Sequence, residues 1–460
     1  MRSRKLAVVS LVLSLTILGA AADARAAAGG ITISESITGT MEPSPAGGLQ
    51  ERVAIPDRIL SELIAAPEGV PIRIADWPVA PGRRLPVTLS RHTVVDASSR
   101  RVLVTSSDQV ALPPSSRVHL WGEIGDNEGR VMLSLDATGA RLRGLVIAPG
   151  AVYEIIPDGP DYLVLGAEDR AEAAGIAPQP WTCALDDSPG LLLPPASPVG
   201  SGEDLPELAS GHTATIAFDT DTELMQLKFN NNEAAALDYI ADLVAAMNVM
   251  YERDLDVTLM QGHTILRVGS DPYNQNSGGA ASSAELNEFS SYWSSHYNTV
   301  DRALAAMLSG KSPSANSASG IAWVGGLCSH SYGYSFTKVF RVDYLAGDAF
   351  VVGHEMGHNF GSVHTHCYNP PIDECYAGES GCYSGSTSCP GGPGTVMSYC
   401  HIAGCGSNLM QFHSRVITNI RSNYIAPAVG VCIFASGGGE PLFDDGFESG
   451  DTGGWSATGP

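Results

Sequence analysis

The sequence predicts an α/β (α+β) domain with long helices, preceded by a β-rich N-terminal segment. After residue 212, strand-like runs alternate with stretches of helical periodicity, whereas residues 27–180 carry short strand-like runs broken by turn residues. Strands interleaved with long helices are typical of a sheet covered by helices. The chain has 460 residues, of which 44% are hydrophobic and 16% charged, so two or three folded domains are expected and a disordered or fibrous protein is excluded.

The first residues have the pattern of a secretory signal peptide. A basic start, MRSRK, precedes an apolar run from Leu6 to Ala22, and small residues allow cleavage after Ala22 or Ala26. A membrane anchor is the alternative, but the run is barely long enough to span a bilayer. We therefore expect 1–26 to be removed and the protein to be secreted to the extracellular space, with the periplasm as a candidate route.

Composition divides the rest of the chain into four parts. Residues 27–184 are predicted to form a β-rich prosegment, and residues 185–212, dense in Pro, Gly and Ser, an exposed linker. The α/β domain is expected over 213–435. Residues 436–460 form a Gly-rich linker and acidic tail, for which either a sorting tag or a frayed terminus is a possible interpretation.

Two helices and several strands are predicted in the α/β domain. The first helix follows three asparagines at 230–232 and is predicted to be amphipathic. The second starts at Ser282, where Glu285 three positions later makes a capping box. Its apolar face carries Leu286, Phe289 and Trp293, and that of the first helix carries Leu237, Ile240, Val244, Met247 and Tyr251. Strand runs include TATIAFDTDTE, DVTLM, ILRV and GIAWVGGL.

The charge balance restricts the partners. Lys and Arg number 26 against 49 Asp and Glu, a formal charge of -23. Such a field repels phosphate backbones and anionic lipid surfaces, which excludes nucleic acid as a partner. After the N-terminal run no segment reaches membrane-spanning length, so we expect no membrane span. We also expect the protein to be a monomer.

One motif dominates the sequence: His354, Glu355, His358, Gly361 and His364, in HEMGHNFGSVH. With 12 His in 460 residues, chance would produce this pattern in about one chain in ten thousand. Residues four apart lie on one helix face, so His354 and His358 can bind one metal ion. Gly361 can end the helix in a left-handed turn and bring in His364 as third ligand.

The three histidines predict a catalytic zinc site with one Zn²⁺ ion. Three neutral imidazoles leave the ion an open position, where the pKa of a bound water falls to about 7. Glu355 is predicted to act as general base on that water. A structural four-ligand site that uses His366 or Cys367 is the alternative.

This long motif, with a Met further along the chain, resembles the metzincin metallopeptidases. The resemblance implies a catalytic domain with a mixed sheet and assigns Met397, in GTVMSYC, to the turn below the zinc; a buried core Met is the alternative. GIAWVGGLC resembles the edge strand and cysteine of the adamalysin (reprolysin) branch, and HLWGEIGDNEGRVMLSLD resembles part of reprolysin propeptides. The strand would hold peptide substrates by β-augmentation through Ile321, Ala322, Trp323, Val324 and Gly325.

The sequence departs from that branch at two positions. Adamalysins usually have Asp after the third His, where this chain has Thr365, so the support that this Asp gives the helix must come from elsewhere. Tyr399 instead matches the position of a Tyr in astacins and serralysins that reaches the zinc or the oxyanion. A catalytic Tyr399 and a merely packed aromatic ring both remain open.

Nine cysteines fit an oxidising compartment. Cys183, just before the linker, is placed where its thiolate can bind the zinc in a latent form only; a buried free thiol is the alternative. The other eight allow 105 disulfide pairings, so the sequence leaves their connectivity open. The resemblance favours Cys328 with Cys432, and a second zinc site in the cluster from 367 to 405 is the alternative to disulfides there.

These observations together predict a secreted zinc endopeptidase that acts on protein or peptide substrates and is made as a latent precursor. No Lys or Arg lies between Arg170 and Lys228, so trypsin-like enzymes cannot cut the linker and self-cleavage is the preferred hypothesis. An exported adhesin or binding protein with structural zinc and a cell-wall amidase are the rival hypotheses. Calcium ligands cannot be assigned, because acidic residues are too numerous.

Overall fold

The structure is a computed structural model of the chain. It describes residues 30–126, 128–136, 141–173, 182–183, 211–275, 279–311, 318–339, 344–389, 391–406 and 408–436. The predicted signal peptide, nearly all of the linker and all but the first residue of the C-terminal tail lie outside these residues.

The N-terminal segment is built on a ten-stranded sheet. Its strand order is β1-β4-β5-β8-β9-β10-β11-β12-β3-β2, almost entirely antiparallel, with β1 parallel to β4. The first twelve strands of the chain are β1 Ile31–Ile33, β2 Thr38–Pro43, β3 Leu49–Ala54, β4 Ile72–Ala80, β5 Arg83–His92, β6 Arg101–Val104, β7 Gln109–Ala111, β8 Val118–Ile124, β9 Arg130–Leu135, β10 Leu142–Ala148, β11 Ala151–Asp158 and β12 Asp161–Gly166.

A second sheet of nine strands forms the α/β part of the molecule. Its order is β13-β17-β18-β16-β14-β15-β6-β7, with β19 added on β14. Neighbours from β18 to β6 are parallel and β17 is antiparallel to β18, so this sheet is mixed. Its other strands are β13 Thr182–Cys183, β14 His212–Thr220, β15 Val257–Arg267, β16 Leu304–Ser309, β17 Ala318–Ala322, β18 Tyr334–Lys338 and β19 Ile433–Ala435. The two predicted runs DVTLM and ILRV are one strand, β15.

Eight α-helices lie in the described part of the chain. They are α1 Asp57–Ala65, α2 Ala167–Ala173, α3 Thr222–Phe229, α4 Glu233–Met250, α5 Ser283–His296, α6 Leu345–Asn359, α7 Ser414–Ile420 and α8 Ala426–Ala428. The predicted starts of α4 and α5 are confirmed, because the Asn232 side chain caps the Ala235 N–H and the Ser282–Glu285 capping box is present.

The amphipathic character predicted for α4 is wrong. Its residues from Tyr239 to Met250 are all buried, because one face lies on the second sheet and the other is covered by β8 and β9 of the N-terminal sheet. Contrary to the expectation from the sequence, the stretch Glu233–Leu255 is apolar and long enough to cross a membrane, but 83% of its most apolar window is buried inside the protein. Burial of this kind is that of a core helix.

The N-terminal segment is not separate from the α/β part, although the sequence suggested a boundary at the linker. Strand β6 pairs in parallel with β15 at one end of the second sheet, and β13 pairs in parallel with β17 at the other. One apolar core contains side chains of both parts, among them Trp121 and Met132 from the N-terminal segment and Ile240 and Val244 from α4. Separating the two parts would therefore expose apolar surface and two strand edges.

Candidate active site

Helix α6 carries the first half of the motif and ends where the sequence predicts. Gly361 has a φ of 98°, a conformation open to glycine, and its N–H donates to the His358 carbonyl at 2.8 Å. The Ser362 N–H donates to the Gly357 carbonyl at 3.0 Å, which completes a Schellman motif. The reversed chain then returns to the helix and places His364 beside His354.

The three histidines converge through their Nε2 atoms. His354 Nε2 lies 3.1 Å from His358 Nε2 and 3.3 Å from His364 Nε2, and all three rings are buried. A tetrahedral zinc ion with bonds of about 2.0–2.1 Å separates its ligand nitrogens by about 3.3 Å. The arrangement therefore fits a zinc ion without movement of the backbone.

Hydrogen bonds fix the tautomer of each ring. His354 Nδ1 donates to the Val396 carbonyl at 2.6 Å, and His358 Nδ1 donates to the Ser362 carbonyl at 2.7 Å. A carbonyl only accepts, so each Nδ1 holds the proton and each Nε2 presents a lone pair. Burial, together with the neighbouring imidazoles, lowers the pKa of His358 to about 3 and that of His354 well below its usual range. The rings are neutral at pH 7, as metal ligands must be.

Glu355 is fully buried beside the histidines and faces strand β17. A Cβ added at Gly320, in that strand, would overlap the Glu355 carboxylate. The absent side chain of Gly320 therefore makes room for Glu355 against the strand. No sequence pattern marks this function of Gly320, because it depends on how β17 packs on α6.

Met397 lies directly under α6, where both the Met-turn interpretation and the buried core Met interpretation place it. It is fully buried, and a Cβ at Gly357, between the first two histidines, would come within 2.6 Å of its sulfur. Thr365 fastens this turn to the third histidine's segment: its N–H donates to the Met397 carbonyl at 3.1 Å and its hydroxyl to Ser398 Oγ at 3.0 Å. Thr365 thus connects the segment to the turn, where adamalysins have Asp.

Tyr399 is buried with its ring against the site. Its centroid lies 4.3 Å from that of His364 and 5.0 Å from that of Tyr376. The structure therefore places the residue beside a predicted ligand, as both interpretations of Tyr399 require.

A residue that the sequence did not single out, Glu379, contacts the third histidine. Its Oε2 accepts hydrogen bonds from His364 Nδ1 and His366 Nε2, both at 2.8 Å. Burial raises the pKa of Glu379, but these hydrogen bonds outweigh it and hold the pKa well below its usual range. No local motif marks this residue, because it lies 15 positions after His364 in an irregular loop.

The predicted substrate strand is shorter than expected. Ile321 and Ala322 lie in β17, and Trp323 keeps one N–H bond of 3.3 Å to the Tyr334 carbonyl. Val324 and Gly325 lie in a turn instead, where the Gly325 N–H donates to the His358 carbonyl at 2.8 Å. The carbonyl of His358, near the end of α6, thus accepts from both Gly361 and Gly325, and the second bond holds the chain out of the sheet at this point.

The outer edge of β17 is covered by β13, the strand that contains Cys183. The two strands are parallel, with Thr182 opposite Ala318 and Cys183 opposite Gly320. The backbone of Cys183 is thus in register with the glycine that makes room for Glu355. The side chain of Cys183 is outside the described atoms.

All eight other cysteines form disulfides. The pairs are Cys328–Cys432, Cys367–Cys382, Cys375–Cys400 and Cys389–Cys405. The pairing of Cys328 with Cys432 is confirmed. The alternatives that used Cys367 as a fourth ligand, or the cluster as a second zinc site, are wrong, because these sulfurs are bonded to each other.

Comparison with known proteins gives a family for the α/β part. Residues 210–412 match the Reprolysin_5 model of metallo-peptidase family M12. The crystal structure of metalloproteinase-II from Bacteroides fragilis is similar over 67% of this chain and 84% of that one, with 10% identity and a TM-score of 0.38, which is too remote to bear on the site. No curated protein sequence matches the chain. The resemblance seen in the sequence is confirmed at the level of the metallopeptidase family.

Proposed function

We propose that this chain, whose residues 210–412 match the model of metallo-peptidase family M12, is a secreted zinc-dependent endopeptidase made as a latent precursor. The observation that carries the proposal is the convergence of three buried imidazoles, with Nε2–Nε2 distances of 3.1 and 3.3 Å. His354, His358 and His364 would hold the zinc, with Met397 packed beneath them.

A zinc ion held there would act as a Lewis acid on the scissile carbonyl and would lower the pKa of a bound water to about 7. Glu355 takes a proton from the attacking water and gives it to the leaving amine. Its position between α6 and β17 suits this work, because a peptide paired along β17 runs past the carboxylate. Tyr399, whose ring lies 4.3 Å from that of His364, would stabilise the oxyanion with its hydroxyl.

Latency is supported by β13, which lies along the strand that would bind the substrate. A peptide substrate cannot pair with that edge of β17 while Thr182 and Cys183 are there. We assign the Cys183 thiolate to the fourth zinc position in this latent form, since zinc favours sulfur ligands. Four disulfides support export to an oxidising compartment.

The test compares the zinc-loaded precursor, residues 27–460, with its Glu355→Ala variant by mass spectrometry over time. The wild type should cut itself between Cys183 and Thr213 and then hydrolyse casein, whereas the variant should bind zinc and stay whole. Equal cutting of both proteins would point to a contaminating protease and end the self-cleavage hypothesis.

A second assay separates the rival functions. The prosegment-free, zinc-loaded protein is incubated with casein and, separately, with muropeptides. Release of peptides from casein supports the endopeptidase. Cleavage of muropeptides alone would replace it by the amidase, and no hydrolysis of either would favour a binding protein with structural zinc.

A further inference from the structure

The three predicted zinc ligands differ in the group that accepts a hydrogen bond from their Nδ1 atoms. His354 and His358 donate from Nδ1 to backbone carbonyls, whereas His364 donates to the carboxylate of Glu379. A hydrogen bond to a carboxylate is stronger than one to a carbonyl because the acceptor carries charge. The third histidine is therefore the one whose orientation and basicity a side chain controls.

Glu379 is fixed from two sides. The same oxygen, Oε2, accepts from His364 and His366, and only 21% of the Glu379 side chain is exposed. The rings of these two histidines are stacked at 9° with centroids 5.4 Å apart. In this arrangement His364 Nδ1 and His366 Nε2 both point at Glu379 Oε2. This geometry leaves the carboxylate little freedom to move away from His364.

Covalent and backbone links hold the Glu379 loop against the histidines. The disulfide Cys367–Cys382 joins the segment after His364 to the segment after Glu379. Next to it, the Tyr383 N–H donates to the His366 carbonyl at 3.0 Å. Closing a loop in this way lowers the entropy cost of keeping Glu379 in place.

The carboxylate that contacts His364 comes from a distant part of the sequence. Thr365, which follows His364 directly, has its polar atoms directed to Met397 and Ser398. No carboxylate adjacent to His364 in the sequence is available to support it. The loop brings one from 15 positions away.

We propose that Glu379 is a positioning residue that holds the Nδ1–H tautomer of His364, aims its Nε2 at the metal and raises the zinc affinity of the site. This inference rests on the proposed function, because it takes His364 as a zinc ligand. Carboxylates in such positions change metal affinity by about 10- to 100-fold when they are removed.

The experiment measures zinc affinity in the full precursor with the Glu355→Ala substitution, which prevents self-cleavage. Competition with a chromogenic chelator gives the zinc Kd of this parent and of its Glu379→Gln, Glu379→Asp and Glu374→Gln derivatives. Glu374 is the matched control: it lies in the same disulfide-bonded loop and accepts a hydrogen bond from Ser388 at 2.9 Å. The absorption spectrum of the Co²⁺-loaded proteins reports the ligand geometry.

We expect Glu379→Gln to raise the zinc Kd by about 10- to 100-fold and to shift the Co²⁺ bands. Glu379→Asp, which keeps the charge, should fall between Gln and the parent, and Glu374→Gln should match the parent. Circular dichroism of the zinc-free proteins should be the same for all, since Cys367–Cys382 keeps the loop closed.

Two other results have distinct meanings. Parental zinc affinity and Co²⁺ spectrum in both Glu379 variants would overturn the positioning role and leave the proposed function intact. A parent that binds no zinc, or binds it equally after His358→Ala, would overturn the proposed function itself.

Discussion

At the scale of single residues, the site depends on a glycine that leaves space as well as on the side chains that carry the chemistry. Gly320 leaves the space that the Glu355 carboxylate occupies. We predict that Gly320→Ala displaces Glu355 and lowers kcat/KM on a peptide substrate by about 100-fold, the typical effect of a 1 Å misplacement. Zinc content should be unchanged, because the three histidines lie on other segments.

The matched control for this prediction is Gly391→Ala. Gly391 lies in the disulfide-rich loop and an added Cβ there meets no atom within 4 Å. Its variant should keep wild-type kinetics in the same assay. Full activity of Gly320→Ala would show that Glu355 does not need the space.

Removing only the hydroxyl of Tyr399 distinguishes a catalytic role of this residue from a packing role. Because the ring is buried against His364 with a centroid distance of 4.3 Å, Tyr399→Phe should preserve the packing. We expect kcat to fall by about 100-fold with KM unchanged, the usual loss for one oxyanion donor. Steady-state kinetics of the mature enzyme measures this, and an unchanged kcat would leave Tyr399 as a packed aromatic.

Whether the sequence alone predicts a contact in this site depends on how far apart the two residues lie along the chain. His354, Glu355 and His358 share one helix turn, so helical geometry alone places them together. Glu379 reaches His364 through a loop whose course depends on the Cys367–Cys382 pair, one of many possible pairings. No local pattern can specify a contact that an unassigned disulfide creates.

At the scale of elements, what covers an element decides what its sequence pattern means. The apolar spacing correctly predicted α4, but its second face is buried by a sheet more than 90 residues away in the chain. In the same way, β17 was expected as an edge strand and is covered by β13. Periodicity reports one buried face and carries no information about a partner that covers the other.

Strand β13 makes a prediction about latency. If the Cys183 thiolate holds the precursor inactive, Cys183→Ser should speed self-cleavage, because a hydroxyl is a far weaker zinc ligand than a thiolate. We expect at least a ten-fold shorter half-time for loss of intact precursor, followed by mass spectrometry. The precursor with Cys183→Ser and Glu355→Ala together controls for general proteolysis, and an unchanged half-time would assign Cys183 as a buried free thiol.

At the scale of the whole molecule, the N-terminal segment and the α/β part share a polar contact inside their common core. Asp242, on α4, accepts hydrogen bonds from Arg117 at 3.0 Å, from His119 at 2.9 Å and from Ser134. Burial raises the pKa of Asp242, but His119 and Arg117 outweigh it and lower the pKa to about 2. The charged carboxylate therefore favours the assembled state, and separating the parts would expose α4.

This contact predicts that cutting the linker does not release the prosegment. In the Glu355→Ala precursor with a protease site introduced between residues 190 and 200, the two cleaved pieces should elute together from a sizing column at pH 7. The Asp242 contribution is complete above its free pKa of about 4 and disappears as the pH falls to about 2, so acid should weaken the association of the pieces over that range. The shift corresponds to about 2 kcal/mol of binding free energy.

Two substitutions make this prediction specific. Asp242→Asn should weaken the complex at pH 7 and reduce its dependence on pH between 2 and 4, whereas Asp301→Asn, at an exposed position, should leave both unchanged. If the pieces of the parent protein separate at pH 7, the shared core and sheet are too weak to hold them, and cutting the linker alone would activate the enzyme. If they stay together, activation needs a second event that removes β13 from β17, such as degradation of the prosegment by the first molecules to become active.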